Sequence, residues 1–228
     1  MPFAYVDMDM LDTNITDIVK RAGDKQIRVA SKSVRSRPIL RYILDAHPLI
    51  QGVMCFTAPE AVWLSQQGFD DLLLGYPIWH PEQVCAIGNE VNKGKTISLM
   101  IDSVEHITHL QSIAASQNVT LTVCLDIDMA MDIPGLHFGV WRSMVSTVEH
   151  ALKIFAEIES SPNIELDSLM GYEAQIAGVG DNAPDGGLKN HFIRMLKKRS
   201  ISQIADRRTA IVEALQARGA TLRVINGG

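Results

Sequence analysis

The sequence predicts an α/β fold built on a parallel sheet: a (β/α)₈ TIM-type barrel lacking its last strand. Three observations point there. Short apolar segments alternate with segments of helical spacing along almost the whole chain. Seven such apolar segments can be counted, and each is bounded by turn or cap residues. The units cover the 228 residues too evenly to leave room for a second domain, and a complete barrel takes about 250 residues. The chain is therefore read as one barrel domain, 1–228, truncated at its C-terminus. An open doubly wound sheet is the alternative, because pattern alone does not reveal closure.

The predicted strands are Gln26–Val34, Gly52–Thr57, Asp71–Tyr76, Thr96–Asp102, Val119–Ile127, Ile164–Gly171 and Thr221–Asn226. Between them, Pro38–Ala46 follows a capping Ser36. Pro59–Gln67 lies between Thr57 and Gly68, a start and stop pair. Pro81–Val91, Val104–Ser116 and Val145–Ser160 follow in turn. His191–Gly219 has helix-forming composition, with a break expected near Ser200. Two irregular stretches, 128–143 and 177–189, follow the fifth and sixth strands. In a barrel the loops after the carboxyl ends of strands carry the active site.

Composition excludes several function classes. Hydrophobic residues at 46 % and charged residues at 21 % are those of an ordinary soluble globular chain. The net charge of −5, with no basic run longer than Lys197–Arg199, argues against nucleic acid. No apolar run approaches the roughly 20 residues of a membrane span. The first residues carry acids and no cationic stretch, which argues against a secretory signal. Three unpaired cysteines, Cys55, Cys85 and Cys124, read as reduced thiols and a cytoplasmic location.

Lys32 is the candidate that stands out. It falls where the first predicted strand runs out, a place suited to an amine that must meet a carbonyl in a partly desolvated pocket. Arg28 and Arg35 are close enough in sequence to lower its proton affinity. The competing reading is a solvated lysine at a strand end. His106 and His109 are spaced i, i+3 on a predicted helix, but no cysteine or carboxylate pattern supports a metal, so they read as an exposed helix face. His137 reads as bracing its loop, with an acid–base role as the alternative. Cys55 reads as a small buried hydrophobe.

Several segments together resemble the pyridoxal-phosphate enzymes of fold type III: alanine racemases, D-threonine aldolases and D-serine dehydratases. They are Ala4–Asn14, Ser31-Lys32-Ser33, Asp70–Pro77, Leu125–Asp128 with Phe138-Gly139-Val140, Leu169–Glu173 and Val224–Gly228. The first resembles the family's entry segment, a short strand before a helix carrying Leu and Asn. The resemblance implies that Lys32 forms a Schiff base with pyridoxal 5′-phosphate. It implies that Arg142 meets the cofactor ring nitrogen, although Arg142 could instead brace its loop by pairing with Asp126 or Asp128. Tyr172, Glu173 and Gln175 follow the sixth strand, where Tyr172 and Gln175 would contact the cofactor; the alternative for Tyr172 is a core aromatic. Asn226, Gly227 and Gly228 would open a phosphate cradle, which also suits the place where barrels bind phosphate; the alternative is a flexible carboxyl-terminal tail. The family also carries a C-terminal β domain, which the resemblance implies is lacking here. The aldolase and dehydratase branch holds its metal ligands beyond the matched part, so no metal is expected. The implied activity is an aldolase, dehydratase or racemase acting on D- or 3-hydroxy amino acids, with a homodimer also allowed. The alternatives are a non-catalytic cofactor-binding barrel or an inactive fragment.

Overall fold

The computed structural model describes residues 3–133 and 135–227. Helix α1 (Met8–Ala22) leads into strand β1 (Ile27–Ala30). The alternation continues through α2 (Arg37–Ala46), β2 (Ile50–Cys55), α3 (Ala58–Gln66), β3 (Leu72–Pro77), α4 (Pro81–Val91), β4 (Ile97–Ile101), α5 (Val104–Gln117) and β5 (Leu121–Ile127). A short hairpin, β6 (Met131–Ile133) and β7 (Leu136–Phe138), precedes α6 (Val148–Glu159) and β8 (Ile164–Gly171). One helical turn, α7 (Ala174–Ala177), the long α8 (Gly187–Ala217) and β9 (Val224–Gly227) complete the order. Seven strands form one parallel sheet in the order β1-β2-β3-β4-β5-β8-β9.

The seven predicted strands and the six predicted helices are all present, with four differences. Strand β1 stops at Ala30, because the chain turns at once: Ser33 and Val34 donate their amides to Ala30 and Ser31. The stretch after β5 holds the β6–β7 hairpin, whose Met131, Phe138 and Ile133 pack on Leu196 of α8. Helix α8 runs unbroken through Ser200, which is fully buried and accepts the Gln175 side-chain amide. The entry segment has no strand among residues 3–7, and α1 begins directly after the Asp7 cap.

Local chemistry explains the helix starts. Thr57, Ser103 and Thr147 each sit in extended backbone and accept the amide three residues on, satisfying a donor that the helix itself cannot. Asn118 ends α5 in the left-handed conformation, which Asn tolerates better than most residues.

Strand alternation sends one set of side chains out and the other in. The outward set includes Val29, Val53, Leu72, Leu74, Leu99, Val123 and Leu125, and it packs against the helices in one large core. The inward set forms layers. At the amino end lies a polar floor; above it is a middle layer of Met54, Leu73, Met100, Cys124 and Met170. Asn226 of β9 joins that layer through its amide and the Met170 sulfur.

The floor is an ion-pair lattice. Asp71 accepts both Arg28 of β1, at 2.9 Å, and Arg223 just before β9, at 2.8 Å. Arg223 then forks onto Asp167 of β8, and Asp167 accepts Ser98 of β4. Burial alone would raise the Asp167 pKa, but Arg223 and Ser98 outweigh it and hold the carboxyl below its usual range. Two unusual backbone positions make room. Asp71 has φ +51°, and Gly52 has φ +70° where a β-carbon would collide with the Arg28 and Asp71 side chains. The lattice spans from β1 to β9, the two edge strands of the open sheet.

Asp71→Asn should therefore cost about 2–3 kcal/mol in urea unfolding, because Asn suits the left-handed backbone but leaves buried Arg28 without its counter-charge. The contribution of Asp167 should be intact above about pH 4 and lost as pH falls further, since its folded pKa is depressed.

Candidate active site

The site is built at the carboxyl ends of the strands, above the methionine layer. Arg28, Ala30 and Lys32 continue the inward face of β1, Met54 and Phe56 that of β2, and Met170 and Tyr172 that of β8. A single cleft is lined by Ala30, Lys32, Met54, Phe56, Tyr76 and Tyr172, together with Cys55, Gly75, Met170 and Arg142. Side chains from β1, β2, β3 and β8 meet there because the sheet curls.

The turn that presents Lys32 is held from below. Buried Ser31 donates its hydroxyl to Glu60 of α3 and its amide to the Met54 carbonyl. The same Glu60 oxygen accepts the Phe56 amide at 2.7 Å. One carboxylate thus fixes both the lysine turn and the neighbouring aromatic. Phe56 packs edge-on to Tyr76, with ring centroids 5.6 Å apart.

Arg142 enters from the loop after the hairpin. Its Nε lies 2.8 Å from Asp126, an inward residue at the top of β5, and its Nη2 donates to the Gly75 carbonyl at 2.5 Å. The guanidinium stands 5.1 Å from the Tyr76 ring and 5.3 Å from the Tyr172 ring. The Arg142 amide also donates to Asp128. Arg142 thus both lines the cleft and pairs with Asp126, so the two sequence readings of it coexist. Asp126 is only 1 % exposed, and burial pushes its carboxyl up to about 7 despite the attraction of Arg142.

The lining carries two cations, Lys32 and Arg142, and no carboxylate. Arg28, expected to modulate Lys32, is spent on Asp71 in the floor, and Arg35 is not in the lining. The nearby cation is Arg142, brought in from more than a hundred residues away in sequence.

The remaining candidates lie elsewhere. Gln175 is fully buried and gives its amide to Met129 and Ser200, bracing the loop after β5 against α8. Glu173 is paired with Arg208 of α8. Asn226 and Gly227 end β9 beside a basic cleft between the sheet edges, lined also by Lys25, Arg28, Arg208 and Arg223. Gly228 lies outside the described residues. His106 is buried, not exposed as its helical spacing suggests: its Nε2 meets the Ile78 carbonyl, and burial lowers its pKa. His109 stacks on Trp79. His137 braces its hairpin as expected, paired to Asp132 and stacked on Trp141. Cys55 is buried, and burial raises its thiol to about 12, so it is an inert wall of the cleft. No group of three or more metal-ligating side chains occurs among the described residues.

Sequence reasoning passed over Phe56, Tyr76, Met54 and Asp126 as site residues. For Met54, Phe56 and Asp126 the signal was positional, since each continues the inward alternation near the carboxyl end of a predicted strand. Tyr76 is out of phase with Leu73 and reaches the cleft through the register irregularity between Leu73 and Pro77.

Comparison with known proteins places this geometry. The family described as "Alanine racemase, N-terminal domain" matches residues 6–220. A 3-hydroxy-D-aspartate aldolase of Paracoccus denitrificans is 22 % identical over 100 % of this chain and 54 % of its own. Among solved structures, D-threonine aldolase from Filomicrobium marinum superposes with a TM-score of 0.79 at 15 % identity, covering 98 % of this chain and 55 % of that one. D-threo-3-hydroxyaspartate dehydratase from Delftia sp. HT23 gives 0.72 at 18 % identity, covering 98 % and 53 %. The chain spans about half the length of the curated relatives it matches.

Removing the cation should expose the cost of a buried, unpaired carboxylate. Arg142→Met is expected to lower stability by about 3 kcal/mol at pH 8 and by clearly less at pH 5.5, where Asp126 can take a proton. Urea unfolding at the two pH values checks this; equal losses would count against an ionised Asp126 at pH 8.

Proposed function

Since the chain belongs to the alanine racemase N-terminal domain family, whose members are pyridoxal-phosphate dependent, we propose that it is the cofactor-binding barrel of an enzyme acting on D- or 3-hydroxy amino acids. The relatives' names include aldolases, a dehydratase and a racemase. Those names support an amino-acid lyase or racemase. The three free cysteines suit a reducing, cytoplasmic setting.

The observation that carries the reading is the composition of the cleft. An amine, a guanidinium, the aromatic rings of Tyr76 and Tyr172 and an apolar floor of Ala30, Met54 and Met170 suit a flat, anionic ring that bears an aldehyde. Lys32 would hold the aldehyde carbon. Arg142 would face the polar edge of the ring, and the two tyrosines would keep water from the guanidinium. When bound, the cofactor supplies the electron sink that lets a bond to the amino-acid α-carbon break. Lys32 Nζ would take up and return the α-proton. Asn226 and Gly227, at the end of β9, are proposed for the phosphate end of the cofactor.

Purified protein mixed with pyridoxal 5′-phosphate should develop a long-wavelength absorbance band, and Lys32→Ala should abolish it while leaving the fold intact by circular dichroism. A wild-type protein that takes up no cofactor would sink the proposal. Uptake without turnover of any D- or 3-hydroxy amino acid would favour the non-catalytic binding reading.

A further inference from the structure

Asp126 is not among the residues that line the cleft, yet it grips the lining cation that arrives from the distant loop after β7. Its two carboxylate oxygens bracket Arg142 Nε at 2.8 and 3.2 Å, and its own carbonyl accepts Ser143 Oγ at 2.6 Å. The residue therefore grips the arginine loop at two adjacent positions. Arg142 has one other anchor at the cleft, the Gly75 carbonyl, which fixes its reach but not its charge. Resting on the reading above, we propose that Asp126 is a positioning residue. It aims Arg142 across the cleft and, through its own charge, sets how much positive charge an anionic ligand beside Lys32 meets.

The surroundings make that charge responsive. Asp102, just past β4, and Asp128, two residues along the chain, both disfavour a third negative charge at Asp126, while Arg142 favours it. Arg207 of α8 engages Asp128, not Asp126. Tyr76 and Tyr172 flank the guanidinium from β3 and β8. Burial brings the balance to about 7, so a proton is gained or lost in the physiological range. With Asp126 ionised, its charge compensates Arg142. With Asp126 protonated, Arg142 stands uncompensated and attracts an anion more strongly. By linkage, an anion bound beside Arg142 must in turn raise the Asp126 pKa.

Binding of pyridoxal 5′-phosphate to wild type and to Asp126→Asn, measured across pH 6 to 8.5, tests this. The Asn variant keeps an acceptor for Arg142 and loses the charge. The ratio of the two Kd values should be near one at pH 6, and wild type should bind more weakly by roughly three- to tenfold at pH 8.5. The free cofactor's own titration is common to both proteins and cancels in that ratio. A ratio that does not change with pH would overturn the inference, whereas failure of wild type to bind at any pH would instead overturn the cofactor reading. Should the variant fail to fold, carbon-13 titration of the Asp126 carboxyl in wild type decides the matter. Its midpoint should rise by about half a pH unit or more when cofactor is bound; an unmoved midpoint contradicts the proposal.

Discussion

Everything at the mouth of this barrel depends on a carboxylate at its base. Asp71 accepts one arginine from β1 and a second from the approach to β9, the two strands that form the edges of the open sheet. Backbone pairing alone does not draw those edges toward each other. The shared carboxylate does, and Arg223 extends the tie to Asp167 and Ser98. The arrangement includes a left-handed Asp71, costly in backbone terms, and a glycine at position 52 that leaves the room the Arg28–Asp71 pair needs. Because the sheet is curled at its floor, Lys32 of the β1 turn and Tyr172 after β8 reach the same cleft at the other end.

The interior is graded along its axis. The floor holds opposed charges that satisfy one another. The middle is thioethers, a thiol and one leucine, soft groups that fill irregular space without demanding partners. The mouth holds two cations and aromatic faces. On β5 the gradient is visible in one strand: Thr122, Cys124 and Asp126 follow each other along the inward face. Asp126 is the exception to the apolar upper wall, and it is there because Arg142 is.

Much of the fold was legible in the sequence because it rests on local signals. The alternation of Ile27 with Val29, the Thr57 and Ser103 caps and the apolar runs near Leu72–Leu74 and Ile97–Ile101 each declare an element without help from the rest of the chain. Lys32 was legible for the same reason: it continues a period-two pattern past a strand end. The Asp71–Arg223 tie was not, since it joins residues 152 apart in sequence and leaves no pattern at either end. The neighbour of Lys32 was misjudged for a related reason. Arg28 and Arg35 are near it along the chain, but alternation sends Arg28 to the floor, and the loop after β7 delivers Arg142 instead. Gln175 reads as a polar residue beside a site, yet its amide is spent on the loop and α8. The hairpin was hidden because its strands are three residues each, too short for a periodic signal.

The central claim is that this curled sheet presents Lys32 as the amine for pyridoxal 5′-phosphate. Borohydride reduction of the protein mixed with the cofactor, followed by peptide mapping, tests it most directly. The account predicts one pyridoxyl adduct, on the peptide bearing Lys32, whose yield falls sharply in Asp71→Asn. An adduct spread over several surface lysines, or one on a lysine other than Lys32, would contradict it.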